Sequence, residues 1–141
     1  MRSAHTLPEL TLTVALLALV AAIAVPSIGA ATARWRLRAA SADIVNALVL
    51  ARDVALARGT SAAFVVDALR GEVHVSCGGD TVVRRAVGAT HGVTLAASGD
   101  TVRYAPDGLA TGVSNTTVLV VLGTRVDSIV VSRLGRVRWT E

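Results

Sequence analysis

The sequence predicts an α+β fold in which one long N-terminal helix, transmembrane at first and amphipathic later, packs on an antiparallel β-sheet. An uncharged and mostly apolar run extends from Leu10 to Ala33. Apolar residues then recur every three or four positions as far as Arg58, which is the spacing of one face of a helix. After Gly59 the chain changes to short apolar segments separated by turn residues. These observations place the helix first and the sheet after it.

The composition allows one small domain beside the N-terminal helix. The chain has 141 residues, of which 52% are hydrophobic and only 3% aromatic, so aliphatic side chains must form the core. A single cysteine, Cys77, excludes a framework of internal disulfides. Every basic side chain other than histidine is an arginine, and the net charge is +4. This charge permits an anionic partner without requiring one.

The predicted helix extends from Leu7 to about Arg58. At its start, Thr6 and Glu9 have the spacing of a capping box, in which the glutamate returns to the backbone N–H of the cap residue. The apolar run that follows is longer than the roughly 20 residues that cross a bilayer core. A glycine after Arg58 supplies the helix end, and Pro26 favours a bend within the helix.

The second half of the helix predicts a buried face. Its apolar positions share one stripe, while charged side chains such as Arg38 and Asp43 lie mostly off it. The stripe consists of Leu37, Ala40, Ile44, Ala47, Leu48, Ala51, Val54 and Ala55. We therefore expect this face to pack on the sheet.

The rest of the chain predicts eight strands bounded by turn signals such as Gly78-Gly79-Asp80 and Pro106-Asp107-Gly108. The last three are expected to form a meander. The predicted strands are Ala62–Asp67, Glu72–Cys77, Thr81–Ala86, Val93–Ala96, Thr101–Ala105, Thr116–Leu122, Val126–Val131 and Arg136–Trp139.

No arrangement of residues predicts catalysis. His74 and Cys77 have a spacing found in metal sites, but alternate residues of a strand face opposite sides, so their side chains should point apart. His91 lies in a glycine-rich stretch with no carboxylate nearby in the sequence. The prediction is a protein that is not an enzyme, with no cofactor, metal or small-molecule substrate.

Three arginines near the end of the chain form the one cluster of interest. Arg133, Arg136 and Arg138 lie beside Trp139. On a strand, Arg136 and Arg138 would share a face about 7 Å apart and could contact successive phosphates. The alternative is an edge strand whose charges discourage association with other sheets. The residues themselves favour the edge strand.

The first 33 residues also fit a secretory signal peptide. Arg2 would be its charged region, residues 10–25 its apolar core, and residues 31–33 its cleavage site. Against this interpretation, Glu9 places an acid in the leading segment, the apolar run is long, and the helical periodicity continues past Ala33. An acid at the start of an apolar helix indicates a function, because it is costly in hydrocarbon.

The charges on either side of the apolar run bear on its orientation in a membrane. Arg34, Arg36 and Arg38 follow the apolar run, against Arg2 before it. The positive-inside rule would then place the downstream domain in the cytoplasm. The residues alone leave this conflict with an exported domain open.

The segment from Ala4 to Leu10 resembles the start of type IV pilins and of type II secretion pseudopilins. In that pattern a short basic leader is followed by Thr-Leu-x-Glu-Leu and a long apolar helix. Counted from His5, Glu9 takes the place of the family's fifth-position glutamate, and Pro26 takes that of its helix-bending proline. Ala4 stands where the family usually has glycine, and His5 where it usually has phenylalanine.

Two later segments narrow the resemblance to the GspH/FimT group of minor pseudopilins. Residues 47–60 are similar to the end of the long helix in that group, with Ala-Arg-x-x-Ala leading into Arg-Gly. The segment Gly135-Arg136-Val137-Arg138 is similar to the group's terminal Gly-Arg-x-Arg. The resemblance covers the start, the helix end and the last strand.

The resemblance implies how the chain is processed, where it is located and what it assembles with. Residues 1–4 would be a leader removed by the prepilin peptidase between Ala4 and His5, after which His5 would be N-methylated. Residues 5–33 would be the transmembrane and assembly helix, and residues 34–141 the globular domain on the periplasmic side of the bacterial cytoplasmic membrane. The partners would be other pilins or pseudopilins in a type II secretion or type IV pilus filament, held together through Glu9 and the helix bent at Pro26.

Two alternatives stay open at the level of sequence. The first is a FimT-like minor pilin that binds DNA for uptake through Arg133, Arg136 and Arg138, since the Gly-Arg-x-Arg end is associated with DNA binding in such members. The second is a secreted soluble domain whose signal peptide is removed.

Overall fold

The computed structural model describes residues 6–111 and 115–140, without the side chains of Pro26 and Ser27. The chain divides into two compact units, Met1–Arg34 and Trp35–Glu141.

Helix α1 spans Leu7–Arg58, as the sequence predicts. Its charges suit the helix dipole, with Glu9 in the first turn and Arg58 in the last. Gly59 follows with a φ of 60°, a left-handed conformation that glycine adopts without steric cost.

The described residues form nine strands in two antiparallel sheets. The first sheet has the order β3-β2-β1-β5-β6 and the second the order β4-β7-β8-β9, so the predicted meander of three strands is confirmed. The strands are β1 Ala62–Asp67, β2 Glu72–Cys77, β3 Asp80–Arg85, β4 Thr94–Ala97, β5 Thr101–Tyr104, β6 Ala110–Thr111, β7 Thr116–Leu122, β8 Arg125–Val131 and β9 Val137–Thr140.

The predicted stripe of α1 forms the centre of the core. Every residue of the stripe is buried except Val54, which is half-buried, and Ile44 and Leu48 have no exposed surface. Burial of a leucine or isoleucine side chain contributes about 1.5–3 kcal/mol. The two sheets supply the opposing surface with alternate residues, including the scarce aromatics Phe64 and Tyr104. Helix and sheets therefore share one hydrophobic core.

Two elements were not expected from the sequence. A short helix, α2, spans Val87–His91 where a glycine-rich loop was predicted. Its Gly88 donates a backbone hydrogen bond to the Gly71 carbonyl at 2.8 Å, and a Cβ on Gly88 would lie 3.1 Å from the Gly71 Cα. This close approach needs glycine at both positions and is invisible to periodicity. Strand β6 has only two residues, too few for an alternating pattern.

A buried carboxylate connects the helix to the second sheet. Asp127 of β8 is 3% exposed. Its Oδ2 accepts a hydrogen bond from the Ser41 hydroxyl at 2.8 Å and another from Trp139 Nε1 at 3.1 Å. Ser41 is fully buried on α1, although its polar side chain kept it out of the predicted stripe. The two bonds join α1, β8 and β9.

A second polar contact joins the same helix to the other side of the domain. Asp43 accepts a hydrogen bond from Arg85 Nη1 of β3 at 2.6 Å, and its second oxygen lies 2.8 Å from His91 Nε2 of α2. All three side chains are half-buried. Such a pair is worth more than a fully exposed one, because water screens it less.

Substitution of Asp127 by alanine should destabilise the Trp35–Glu141 unit by about 2–4 kcal/mol, because it leaves the buried Ser41 hydroxyl and the Trp139 N–H without their acceptor and opens a cavity. Urea unfolding followed by circular dichroism measures this change. Ser128→Ala is the matched control, since Ser128 is the next residue on the same strand and is only half-buried. A loss for Asp127→Ala no larger than for Ser128→Ala would contradict the structural importance of the carboxylate.

Candidate interaction sites

Glu9 caps the start of α1. Its Oε2 accepts a long hydrogen bond from the Thr6 backbone N–H at 3.4 Å, and its own N–H donates to the Thr6 carbonyl at 3.0 Å. The predicted return contact of the capping box is therefore present. The side chain is exposed.

The apolar part of α1 presents a hydrophobic surface all round. Within the described helix, an 18-residue stretch has a mean hydropathy of 2.4 and no buried residue. Side chains at neighbouring positions, which point to different sides of the helix, are each more than half exposed: Leu16, Leu17, Leu19 and Val20. A helix that is apolar on every side is typical of a membrane span. By length and composition this helix can cross a membrane.

The other predicted N-terminal sites are only partly visible. Ala4 and His5 lie outside the described residues. Pro26 lies within α1, but its side chain is outside the description. The cleavage, methylation and assembly roles of these residues stay predictions.

The three C-terminal arginines are placed by a tight turn between β8 and β9. Gly135 N donates to the Ser132 carbonyl at 2.8 Å, with Arg133 in the turn between them. Gly135 has a φ of 74°, and a Cβ there would lie 3.0 Å from Tyr104 Cε1. Gly135 therefore serves a turn that requires a positive φ. The turn sends each arginine to a different surface.

Arg133 lines a concave site that we call the seam pocket, because it lies where β5 and β6 of one sheet meet the ends of β4, β7 and β8 of the other. Its volume is about 460 Å³. A second arginine, Arg103 of β5, lines the same pocket. The described lining residues are Ser98, Gly99, Thr101, Val102, Arg103, Ala110, Thr111, Asn115, Thr116, Val131, Ser132 and Arg133.

Arg136 lines a separate groove of about 540 Å³ between the C-terminal part of α1 and the turn before β9. Arg52 of the helix lines it as well, and Leu56 and Leu134 add apolar surface. Tyr104 forms part of its floor. Burial raises the pKa of the Tyr104 hydroxyl, and the nearby Arg52 guanidinium opposes this by favouring the anion.

Arg138 lies on the outer face of the second sheet. It pairs with Val130 of β8, whereas the next residue, Trp139, pairs with the buried Ile129. Trp139 and Val137 therefore share the opposite face, as predicted. Strand β9 begins at Val137, one residue later than predicted, because the turn from Ser132 still holds Arg136.

The arginines of the domain fall into two groups. Arg70, Arg84 and Arg85 form ion pairs with Asp67, Glu72 and Asp43, at distances of 3.7, 3.7 and 2.6 Å. Among the described residues, no carboxylate lies within 4.0 Å of the second group. That group includes Arg103, Arg133, Arg136 and Arg138, together with Arg36, Arg52, Arg58 and Arg125. Uncompensated positive charge is therefore present around β5 and the β8–β9 turn, as well as on α1 and at the start of β8.

Among the described residues, His74, His91 and Cys77 do not group into a metal site. His74 and Cys77 face opposite sides of β2, as predicted, with Cys77 buried and His74 half-buried. The Cys77 sulfur lies 3.2 Å from the Thr60 hydroxyl. Within residues 6–111 and 115–140, no three histidine, cysteine or acidic side chains are grouped closely enough to hold a metal ion.

Some partners of these residues could not be found from the sequence. His91 meets Asp43, which lies 48 residues away, and Arg133 shares its pocket with Arg103. Only the folding of the two sheets brings these residues together. The single available signal for Arg103 was a charged residue within a predicted strand.

Comparison with known proteins identifies the family. The family model of the type II transport protein GspH matches residues 40–135, which is more than half of the chain. A search of curated proteins found no match.

Solved structures share the fold at low sequence identity. The type IV minor pilin FimU of Pseudomonas aeruginosa is 12% identical, with a TM-score of 0.65 over 77% of this chain and 90% of that one. The minor pseudopilin EpsH of the Vibrio cholerae type 2 secretion system is 11% identical, with a TM-score of 0.55 over 72% of this chain and 93% of that one.

The family and the fold confirm the resemblance that the sequence predicts. Both solved relatives have the pilin-like arrangement of a helix packed on antiparallel sheets. The family consists of structural subunits, which agrees in that respect with the prediction of a protein that is not an enzyme. The chain belongs to the GspH family of type II transport proteins, the minor pseudopilins of type II secretion and type IV pilus filaments.

Proposed function

We propose that this chain is a membrane-anchored minor pseudopilin whose N-terminal helix holds it in a filament with other pilin-like subunits. The observation that carries this proposal is the apolar part of α1, which is long enough to cross a bilayer and has an exposed glutamate at its start. In the membrane, lipid covers this apolar surface. In a filament, the corresponding helices of neighbouring subunits cover it instead.

Glu9 sets the register between subunits in this proposal. A carboxylate is costly to bury alone, and a partner of opposite charge reduces this cost. The amine at the mature N-terminus of a neighbouring subunit is such a partner. Pairing of Glu9 with that amine would fix the axial position of each helix, and the bend expected at Pro26 would fit the helices to one another.

The proposed topology follows the family. Residues 1–4 form the leader that the prepilin peptidase removes, residues 5–33 cross the cytoplasmic membrane, and residues 34–141 form the periplasmic domain. Arg34 and Arg36 oppose this orientation under the positive-inside rule. Because the leader has a single arginine, Arg2, we propose that recognition by the peptidase, rather than charge, sets the orientation.

Replacement of Glu9 by glutamine should reduce incorporation into filaments about tenfold or more while leaving membrane insertion unchanged, because a charge-assisted pair contributes about 1.5–3 kcal/mol. Glutamine keeps a side-chain oxygen that can accept from the Thr6 N–H, so the cap of α1 is retained. Immunoblots of sheared filaments and of membranes, in cells that express the other subunits, measure both quantities. Glu9→Ala should assemble as poorly as Glu9→Gln.

Thr11→Ala is the control for the Glu9 substitutions. Thr11 lies in the same exposed part of the helix, and its hydroxyl donates only to the Pro8 carbonyl at 2.8 Å. This variant should assemble normally. Normal filament incorporation of Glu9→Gln would remove the proposed ion pair.

The mature protein should begin at His5 with a methylated amine, and this start separates the filament subunit from a secreted soluble domain. N-terminal sequencing with intact mass measurement, in a strain with and without its prepilin peptidase, gives the result. Ala4→Gly, which restores the family's usual residue, should be cleaved at least as fast as the natural chain. A mature start near Arg34 would instead establish a removed signal peptide.

DNA binding is a second proposed function, favoured by the uncompensated arginines around the β8–β9 turn. Neither Arg136 nor Arg138 has a carboxylate partner among the described residues. Arg136 lies just before β9, and Arg138 lies within it. Phosphates of a DNA backbone would supply the missing negative charge. The different surfaces of the two side chains would require the DNA to follow the edge formed by β9.

Removal of both guanidinium groups in Arg136→Ala/Arg138→Ala should strongly weaken the salt-dependent shift of duplex DNA and lower the slope of log affinity against log salt by about 2. Electrophoretic mobility shifts at several salt concentrations measure the slope. Arg70→Ala/Arg84→Ala is the charge-matched control, because both arginines are already paired with carboxylates. Equal losses in the two double variants would mean that only net charge matters.

A further inference from the structure

We propose that the seam pocket binds a small phosphate monoester, in its doubly charged form, between Arg103 and Arg133. Both arginines line the pocket, and its described lining contains no aspartate or glutamate. Arginine keeps its charge throughout the physiological range, and its planar fork matches the oxygens of a phosphate. The pocket therefore has two positive charges with no described carboxylate within 4.0 Å of them.

The hydroxyl groups of the pocket add donors to the same space. The Ser98 hydroxyl oxygen accepts from the Thr117 N–H at 2.9 Å, and that of Ser132 accepts from the Arg136 N–H at 3.1 Å. Each hydroxyl has one proton to donate, and these backbone contacts leave that proton available. Two further hydroxyls, of Thr101 and Thr116, line the pocket as well.

This arrangement is rich in donors and poor in acceptors. A complementary ligand has several acceptor oxygens and negative charge, which describes a phosphate better than a neutral sugar or a cation. The backbone holds the donors in place, because Ser98 also donates its own N–H to the Thr117 carbonyl at 2.9 Å. These contacts fix the positions of the two serine hydroxyls.

The size and walls of the pocket limit the ligand further. Its volume of about 460 Å³ falls in the range of about 300–1,000 Å³ that small-molecule sites have. No aromatic side chain is among the described lining residues, so a nucleobase would have no ring to stack on. Among the described lining residues, the apolar side chains are those of Val102, Val131 and Ala110. A short, polar ester fits these walls.

Charge distinguishes a monoester from a diester. A monoester has close to two negative charges at neutral pH, with a second pKa of about 6, whereas the diesters of lipids and nucleic acids have one. Two uncompensated arginines balance the two charges of a monoester. The inference does not depend on the filament function, because the pocket lies within the Trp35–Glu141 unit.

Isothermal titration calorimetry on the full chain in non-ionic detergent tests the proposal. The ligands are glycerol 3-phosphate, inorganic phosphate, dimethyl phosphate and acetate, in a buffer free of phosphate. Glycerol 3-phosphate should bind about tenfold or more tightly than dimethyl phosphate and acetate, because it offers one more charge and more acceptors. Inorganic phosphate should bind as a weaker relative of the monoester.

Substitution separates this pocket from general positive charge. Arg103→Gln and Arg133→Gln should each weaken glycerol 3-phosphate binding about tenfold or more, and Arg133→Lys should retain part of it. The control is Arg70→Gln/Arg84→Gln, which removes the same charge from arginines that are paired elsewhere. Unchanged binding in the Arg103→Gln/Arg133→Gln variant, or equal loss in the control, would overturn the assignment.

The pH dependence gives an independent readout. Arg103 and Arg133 are the only charged or titratable side chains among the described lining residues, and neither changes its charge in this range. Lowering the pH from about 7.5 to about 5 should therefore weaken monoester binding several-fold, as the ligand takes up its second proton. No binding by the natural chain at millimolar ligand, or binding of dimethyl phosphate as tight as that of the monoester, would refute the proposal.

Discussion

The position of the helix on the second sheet depends on a buried carboxylate. Asp127 lies where the stripe of α1 meets β8, and an ionised group there costs several kcal/mol unless donors surround it. Ser41 and Trp139 supply those donors from the helix and from the last strand. Apolar packing alone would tolerate small shifts of the helix along the sheet. The two hydrogen bonds do not tolerate such a shift, because it would leave the carboxylate without partners. The same contact fixes β9 and so determines where the β8–β9 turn presents its arginines.

Arginines with and without a carboxylate partner lie in different parts of the domain. Around β2 and β3, arginines are neutralised by Glu72 and Asp43, and the latter also meets His91. Around β5 and the β8–β9 turn, the arginines of the described chain have no such partners. Exposed ion pairs contribute little to stability, so their absence costs the fold little. It leaves positive charge near the seam pocket and near β9 that no described carboxylate within 4.0 Å neutralises.

The N-terminal helix obeys a different constraint from the domain. Its apolar side chains from Leu10 onward have no core of their own to enter, and the surface is hydrophobic on every side. A lipid bilayer or a bundle of identical helices are the two surroundings that satisfy it. Glu9 caps the helix in the isolated chain. In the proposed assembly the same carboxylate would meet a charge from a neighbour, so one residue would have a role in each state.

The sequence by itself determined the long helix, its buried stripe, most of the strands and the family, because these depend on local periodicity, turn residues and the spacing of Glu9 and Pro26. Only the tertiary structure decided the division into two sheets, the burial of Ser41, and the separation of Arg133, Arg136 and Arg138 onto different surfaces. The contacts of Asp127 with Ser41 and of Asp43 with His91 join residues 86 and 48 positions apart. Local patterns carry no information about such pairs, because packing between elements decides which side chains meet.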